Sequence, residues 1–291
     1  MGAMGNNSVM KGKATKKELQ PILTIALFPE LLAGALGLLT SLTDVEWAKQ
    51  IPRKTWTVKD AALHLLGGDV GILSIGRDRH LVSRTDTTDH AELVAFLKAK
   101  NDNWIQVTRR ISPRLLCELL RFAGHEVNDY FRSLDAYALG DRVSWAGPEP
   151  APNWLDIARE YTERWHHHQH IREAVGRPGF MEPRFLKPAL DTFVRALPYT
   201  YRDVSAPEGT AIELTISGDS GEMWCLLREQ GRWHHYLGPA KNPDAAVAIP
   251  QEIAWKLWTR WFPKDETLVN AEVRGDDRLA TPIFEMTSVI A

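Results

Sequence analysis

Glu163 and His167 stand four residues apart in the run YTERWHHHQHIREAV, which reads as a helix capped by Asn153 and stopped by Gly176 and Pro178. That spacing puts both side chains on one face, one turn apart, so a carboxylate oxygen and an imidazole nitrogen can reach a single ion. His64, on a separate helix with Trp56, Asp60 and Leu63 spaced along one side, is a candidate third donor. Three ligands of mixed nitrogen and oxygen type leave a fourth position open, as catalytic zinc sites do. Spacing alone leaves other choices open. His166 and His170 are also four apart and form a rival pair, and His168, facing nearly opposite Glu163 and His167, is expected in solvent. The plainer alternative is a surface helix with adventitious metal affinity. His234 and His235 are expected to divide between strand core and solvent.

Capping signals and periodicity indicate the elements that must hold these residues. Lys17 to Trp47 reads as one long helix, bent at Pro29. Thr57 to Gly76 reads as a second, with Thr57 as N-cap and Asp60 as its capping-box partner. Thr88 to Lys100 is a third, and Ser112 to Leu134 a fourth, with Pro113 in its first turn. Gly147 to Pro152 (GPEPAP) reads as a loop before the histidine-rich helix, and Pro183 to Leu197 as a further helix. Past Tyr199 the pattern alternates. AIELTIS, EMWCLLRE, RWHHYLG and DAAVAIP read as strands, joined by turns at Gly218 to Gly221 and Gln230-Gly231. Pro250 to Phe262 is helical again. The expected architecture is α + (α+β): a metal-binding helical bundle over 17–198, then a smaller α+β domain over 199–291.

The bulk composition narrows the function classes. At 291 residues, 44% hydrophobic and 25% charged, the chain can bury a core without disulfide staples. A net charge of −2 recruits neither nucleic acid nor an anionic membrane. Cys117 and Cys225 lie in unlike apolar contexts and read as small buried residues, as suits a reducing cytoplasm. Lys11, Lys13, Lys16 and Lys17 before the apolar stretch Pro21 to Leu42 mimic a signal peptide. Glu30 interrupts that stretch, and Leu27, Leu31, Leu38 and Leu42 have core-helix spacing, so a membrane span is rejected. Met1 to Gly5 reads as an expression remnant, with Met10 as a candidate natural start. Trp56, Trp165, Trp233, Trp255, Trp258 and Trp261 fill a core or line a pocket.

WTVKDAALHLLGGD together with YTERWHHHQHIREAVGRPG resembles the mycothiol-dependent maleylpyruvate isomerase family, a branch of the DinB-like four-helix metalloproteins. The second half is similar to that family's sterol-carrier-like C-terminal domain. The resemblance implies a zinc ion held by His64, Glu163 and His167. It also implies a catalytic arginine facing the site from the second domain, matched best by Arg260 in WKLWTRW, with Arg172 as a local alternative. Where the family has an acidic residue, this chain has His170, a departure that bears on the isomerase activity.

The chemistry implied is thiol activation. A free thiol has a pKa of ~8.5, and coordination to zinc makes it a thiolate at neutral pH. The cofactor would be a low-molecular-weight thiol, mycothiol or an equivalent, used for transfer to, or cis-trans isomerisation of, a small electrophilic substrate. Arg260 would bind a substrate carboxylate and His170 would shuttle a proton. Two alternatives stand beside this: a metal-assisted hydrolase with His166 or His170 as general base, and a non-catalytic carrier of metal or an apolar ligand.

Overall fold

The computed structural model describes residues 16–81, 90–261 and 269–288. Thr88, Phe262, Met10, Lys11 and Lys13, which figure in the expectations above, lie outside these residues. Along the chain come α1 (Phe28–Thr40), the short α2 (Asp44–Trp47), α3 (Val58–Gly71), α4 (His90–Thr108), α5 (Pro113–Ser133) and α6 (Asn153–Val175). α5 and α6 each pack on both α1 and α3, which makes these four a bundle, and α4 lies against α3.

Local chemistry starts and stops these helices. At α3, Thr57 accepts a hydrogen bond from the Asp60 amide while the Asp60 carboxylate accepts one from the Thr57 amide, the expected capping box. Ser112 caps α5, whose Leu116, Cys117, Leu120, Ala123, Val127 and Phe131 form a buried stripe at helical spacing. Gly176, at φ 70°, closes α6 in the left-handed conformation that glycine adopts without a Cβ penalty.

Four expectations need correction. The first long helix is instead a 3-10 turn (Ile25–Leu27), α1 and α2, because Pro29 occupies the first turn of α1, where a missing N–H costs nothing. α3 gives way after Gly71 to a π-helical turn, Ile72–Arg77. Residues taken for a loop include β2 (Pro150–Pro152), which pairs antiparallel with β1 (Leu139–Arg142). Pro152, not Asn153, holds the cap position of α6. The Asn153 side chain donates instead to the Asp135 carbonyl.

The second half comprises α7 (Pro183–Phe193), α8 (Leu197–Thr200), β3 (Ala211–Ser217), β4 (Glu222–Glu229), β5 (Arg232–Leu237), β6 (Ala245–Pro250), α9 (Gln251–Trp258), β7 (Glu272–Gly275) and α10 (Asp277–Glu285). The sheet order is β5-β4-β3-β6-β7, antiparallel except for the β3–β6 pair. Both expected hairpin turns are present; Gln230 and Gly231 share positive φ between β4 and β5. Alternation puts Ile212, Leu214 and Ile216 of β3 on the buried face, with Val247 and Ile249 of β6 beside them. α7 packs on both α6 and α9, and Trp165 of α6 meets Trp255 of α9 edge to face at 5.2 Å. One continuous core therefore joins bundle and sheet. Among the described residues no helix is long and apolar enough to cross a membrane.

A long-range pair fixes the start of α3. Asp60 is 1% exposed, and Arg109 grips its carboxylate through two hydrogen bonds of 2.8 Å. In Arg109→Ala that buried carboxylate keeps only its Thr57 contacts. The expected loss is about 2–3 kcal/mol, read as a lower thermal midpoint, with metal content unchanged because Asp60 is not among the clustered donors.

Candidate metal site

α3 presents His64 and α6 presents Glu163 and His167 where the two helices pack. The His64 Nε2 lies 3.9 Å from the Glu163 Oε2, and the His167 Nε2 lies 3.5 Å from the same oxygen. One donor atom from each residue falls within 4.8 Å of the other two. Ligands about 2.0–2.1 Å from a tetrahedral zinc stand roughly 3.3 Å apart, so small side-chain adjustments suffice. His167 is 3% exposed, and neither of its ring nitrogens has a hydrogen-bond partner. A buried imidazole left so costs free energy unless something else uses its lone pair. The donor set and the orphaned ring fit a divalent cation.

The electrostatics prepare the donors. Burial alone would raise the Glu163 pKa, but the His167 and His64 rings beside its carboxylate hold it well below the usual carboxylate range. Burial, then the His166 and His64 charges, pushes His167 well below the ordinary imidazole value. An ionised carboxylate beside a neutral imidazole is the protonation state a metal requires.

Aromatic rings enclose the group. Trp56 lies 4.9 Å from the His64 ring and stacks on His167 at 5.8 Å. Trp261 stacks on His170 at 4.0 Å and 17°. Thus Trp56 packs on two of the donors and Trp261 backs His170 from the core, which Trp165, Trp233, Trp255 and Trp258 also fill. A cavity of about 930 Å³ opens on the His64 and Glu163 side, walled in part by Tyr130, Arg159 and Arg164. Arg159 and Arg164 are matched by acids: Arg159 bonds Asp156 at 2.7 Å, and Arg164 bonds Glu160 at 2.7 Å and also Asp69.

Over residues 28–172, half of its length, the chain matches the profile of the mycothiol maleylpyruvate isomerase N-terminal domain. The chain belongs to that family. It is similar to the crystal structure of the mycothiol-dependent maleylpyruvate isomerase at 12% identity and a TM-score of 0.49, with 82% of this chain and 88% of that one covered. A histidine-to-alanine mutant of that enzyme matches at 11% identity and a TM-score of 0.47, with the same coverage. No curated protein matches the chain by sequence.

The remaining expected residues, within the matched region and beyond it, are distributed as follows. His168 is not in solvent: it is 1% exposed, packs on Phe180 and accepts a hydrogen bond from Arg172 at 3.2 Å. α6 is covered on that side too, so the histidine cluster does not lie on a surface helix. Arg172 also donates to the carbonyls of Arg177 and Pro178, which ties it to the end of α6. His170 is 2% exposed, its ring 5.3 Å from that of His167. His234 and His235 are both half-buried. Both cysteines are buried free thiols, and burial raises Cys117 and pushes Cys225 up to about 11, which disfavours the reactive thiolate in each.

Arg260 occupies the left-handed position after α9, with φ 54°. The Trp261 amide reaches back to the Lys256 carbonyl at 2.7 Å and the Arg260 amide to that of Leu257 at 3.0 Å, a Schellman ending that usually carries glycine. The same turn exposes Arg260 and delivers Trp261 onto His170. Lys54, which sequence reasoning passed over, is half-buried and feels both Arg260 and Glu163; burial first, then Arg260, lowers its pKa. Nothing in its local sequence signals this placement, because its neighbours come from segments more than 100 residues away.

Proposed function

We propose that the chain is a metal-dependent enzyme that uses a low-molecular-weight thiol, mycothiol or an equivalent, for transfer to, or cis-trans isomerisation of, a small electrophilic substrate. His64, Glu163 and His167 hold one divalent ion, zinc by the preference of a mixed imidazole and carboxylate set. The observation that carries this reading is the convergence of three donors from two helices around a buried imidazole with no other partner. Such an ion supplies Lewis acidity that keeps a thiol ionised at neutral pH.

The protein's own residues do the rest. Trp56 and Trp261 exclude water beside the donors. Arg260, with Lys54 near it, holds a substrate carboxylate, and His170, whose Nε2 has no partner, relays the thiol proton without retaining it. The working unit spans both proposed domains, with residues 17–198 contributing the ligands and 199–291 contributing Arg260 and Trp261. Two buried free cysteines support a reducing, cytoplasmic setting.

The test is to strip the protein with a chelator, reload it with zinc, and assay thiol consumption and isomerisation of cis-enedicarboxylates with and without mycothiol. The reading requires that activity need both metal and thiol. Full activity without metal, or hydrolysis that ignores the thiol, overturns it.

Arg260→Gly separates role from strain. Glycine relieves the left-handed backbone, so stability should rise by about 0.5–1 kcal/mol. Loss of a charged hydrogen bond to the substrate should lower kcat/KM by roughly 10–100-fold, mostly through KM. A stabilised variant with unchanged kinetics removes Arg260 from substrate binding.

A further inference from the structure

His166, His167 and His170 form a second group whose donor atoms also lie within 4.8 Å of one another. Their ring centroids are 4.0, 5.1 and 5.3 Å apart pairwise, and all three are at most 3% exposed. His166 places its Nδ1 2.8 Å from the Thr162 carbonyl. That contact fixes the tautomer with hydrogen on Nδ1 and leaves the Nε2 lone pair free, the arrangement by which a backbone carbonyl orients a metal-bound histidine. The His170 Nε2 and both His167 nitrogens have no partner. Trp261 stacks flat on His170 and restrains its plane. Three buried imidazoles, two with unpartnered nitrogens and the third oriented by a carbonyl, make more than an incidental cluster.

We infer that His166, His167 and His170 are an alternative seat for the metal ion, a trihistidine position that shares His167 with the His64–Glu163–His167 set and is filled by late divalent ions such as zinc or nickel. Imidazole nitrogens suit those metals. Because His167 belongs to both groups, an ion in the trihistidine seat takes His167 away from Glu163 and occupies His170. That seat is therefore catalytically silent under the function proposed above. The inference needs only the metal reading of His167 and not the thiol chemistry.

The consequence is that removing the outer ligands relocates the ion instead of releasing it. Zinc alone is titrated into full-length His64→Ala/Glu163→Gln, and the bound metal is measured by elemental analysis after gel filtration. Cobalt is added in parallel, so that its visible absorption reports nitrogen ligation. About one ion per chain is expected to remain, and adding His170→Phe, which keeps an aromatic ring against Trp261, is expected to weaken zinc at least tenfold. His166→Leu in the same background gives an independent loss, with circular dichroism confirming that each variant is folded. A double variant that binds no zinc overturns the alternative seat and leaves the outer set standing. Zinc that survives both His170→Phe and His166→Leu overturns it as well. Should wild type and double variant bind zinc equally tightly, the trihistidine seat stands and the ligand assignment under the proposed function fails instead.

Discussion

His167→Ala is expected to yield a folded protein that carries no ion and has no thiol-dependent activity. His167 is the one residue common to both groups of donors. Zinc binding of about 10–16 kcal/mol shared over four ligands makes each ligand worth roughly 3 kcal/mol, or on the order of 100-fold in affinity. Here the loss falls on both seats at once, so no neighbouring histidine can compensate. The fold should persist, because removing the imidazole relieves the cost of burying two unpartnered nitrogens and so offsets part of the cavity it leaves. Elemental analysis and a thermal melt on the same sample check both halves. His64→Ala should differ: activity is lost while metal is retained.

The ion-free protein is expected to lose stability steeply as pH falls from 6.5 to 5. Burial, aided by the Arg172 charge, lowers His168 to about 3. An unfolded histidine titrates near 6.5, so below that pH the unfolded chain binds the proton first. The stability that the neutral ring allows is complete above ~6.5 and is lost as the pH descends toward 3. At pH 5 the gap is ~1.5 units, or about 2 kcal/mol for His168 alone. His167 and His170, both pushed well below the ordinary value by burial, act in the same direction, as does His235, lowered to about 3. Glu163 adds to this only at lower pH, since its folded pKa lies below that of a free carboxylate. Melts at pH 7.5, 6 and 5 measure the slope, which His168→Asn should flatten. A midpoint independent of pH over this range contradicts neutral burial of the cluster.

Much of this was legible in the sequence because it is local. Thr57 with Asp60, Ser112 with Pro113, Gly176 and the Gln230-Gly231 turn each carry their instruction within four residues, and the structure follows them. Glu163 and His167 were legible for the same reason, since one helical turn brings them together. The failures are tertiary. The sequence places His168 in solvent because it faces nearly opposite Glu163 and His167, and the side away from an inward-facing ridge is normally a helix's wet face. α6 instead has neighbours all round, and the Phe180 segment closes the side on which His168 lies. The Asp60–Arg109 pair spans 49 positions, and the Trp261 stack on His170 spans 91. Neither leaves a periodic trace. Pro29 misled in a different way, because a proline that bends a helix interior and one that begins a helix look alike until the boundary is known.

An ion held by His64, Glu163 and His167 is expected to take a thiol as a further ligand. X-ray absorption at the zinc edge, on the reconstituted protein before and after adding mycothiol, tests it most directly. The zinc should show nitrogen and oxygen neighbours only, joined after the thiol is added by one sulfur at ~2.3 Å, with no such sulfur in His64→Ala. A zinc shell that stays free of sulfur in the wild type, or a protein that binds no zinc, contradicts it.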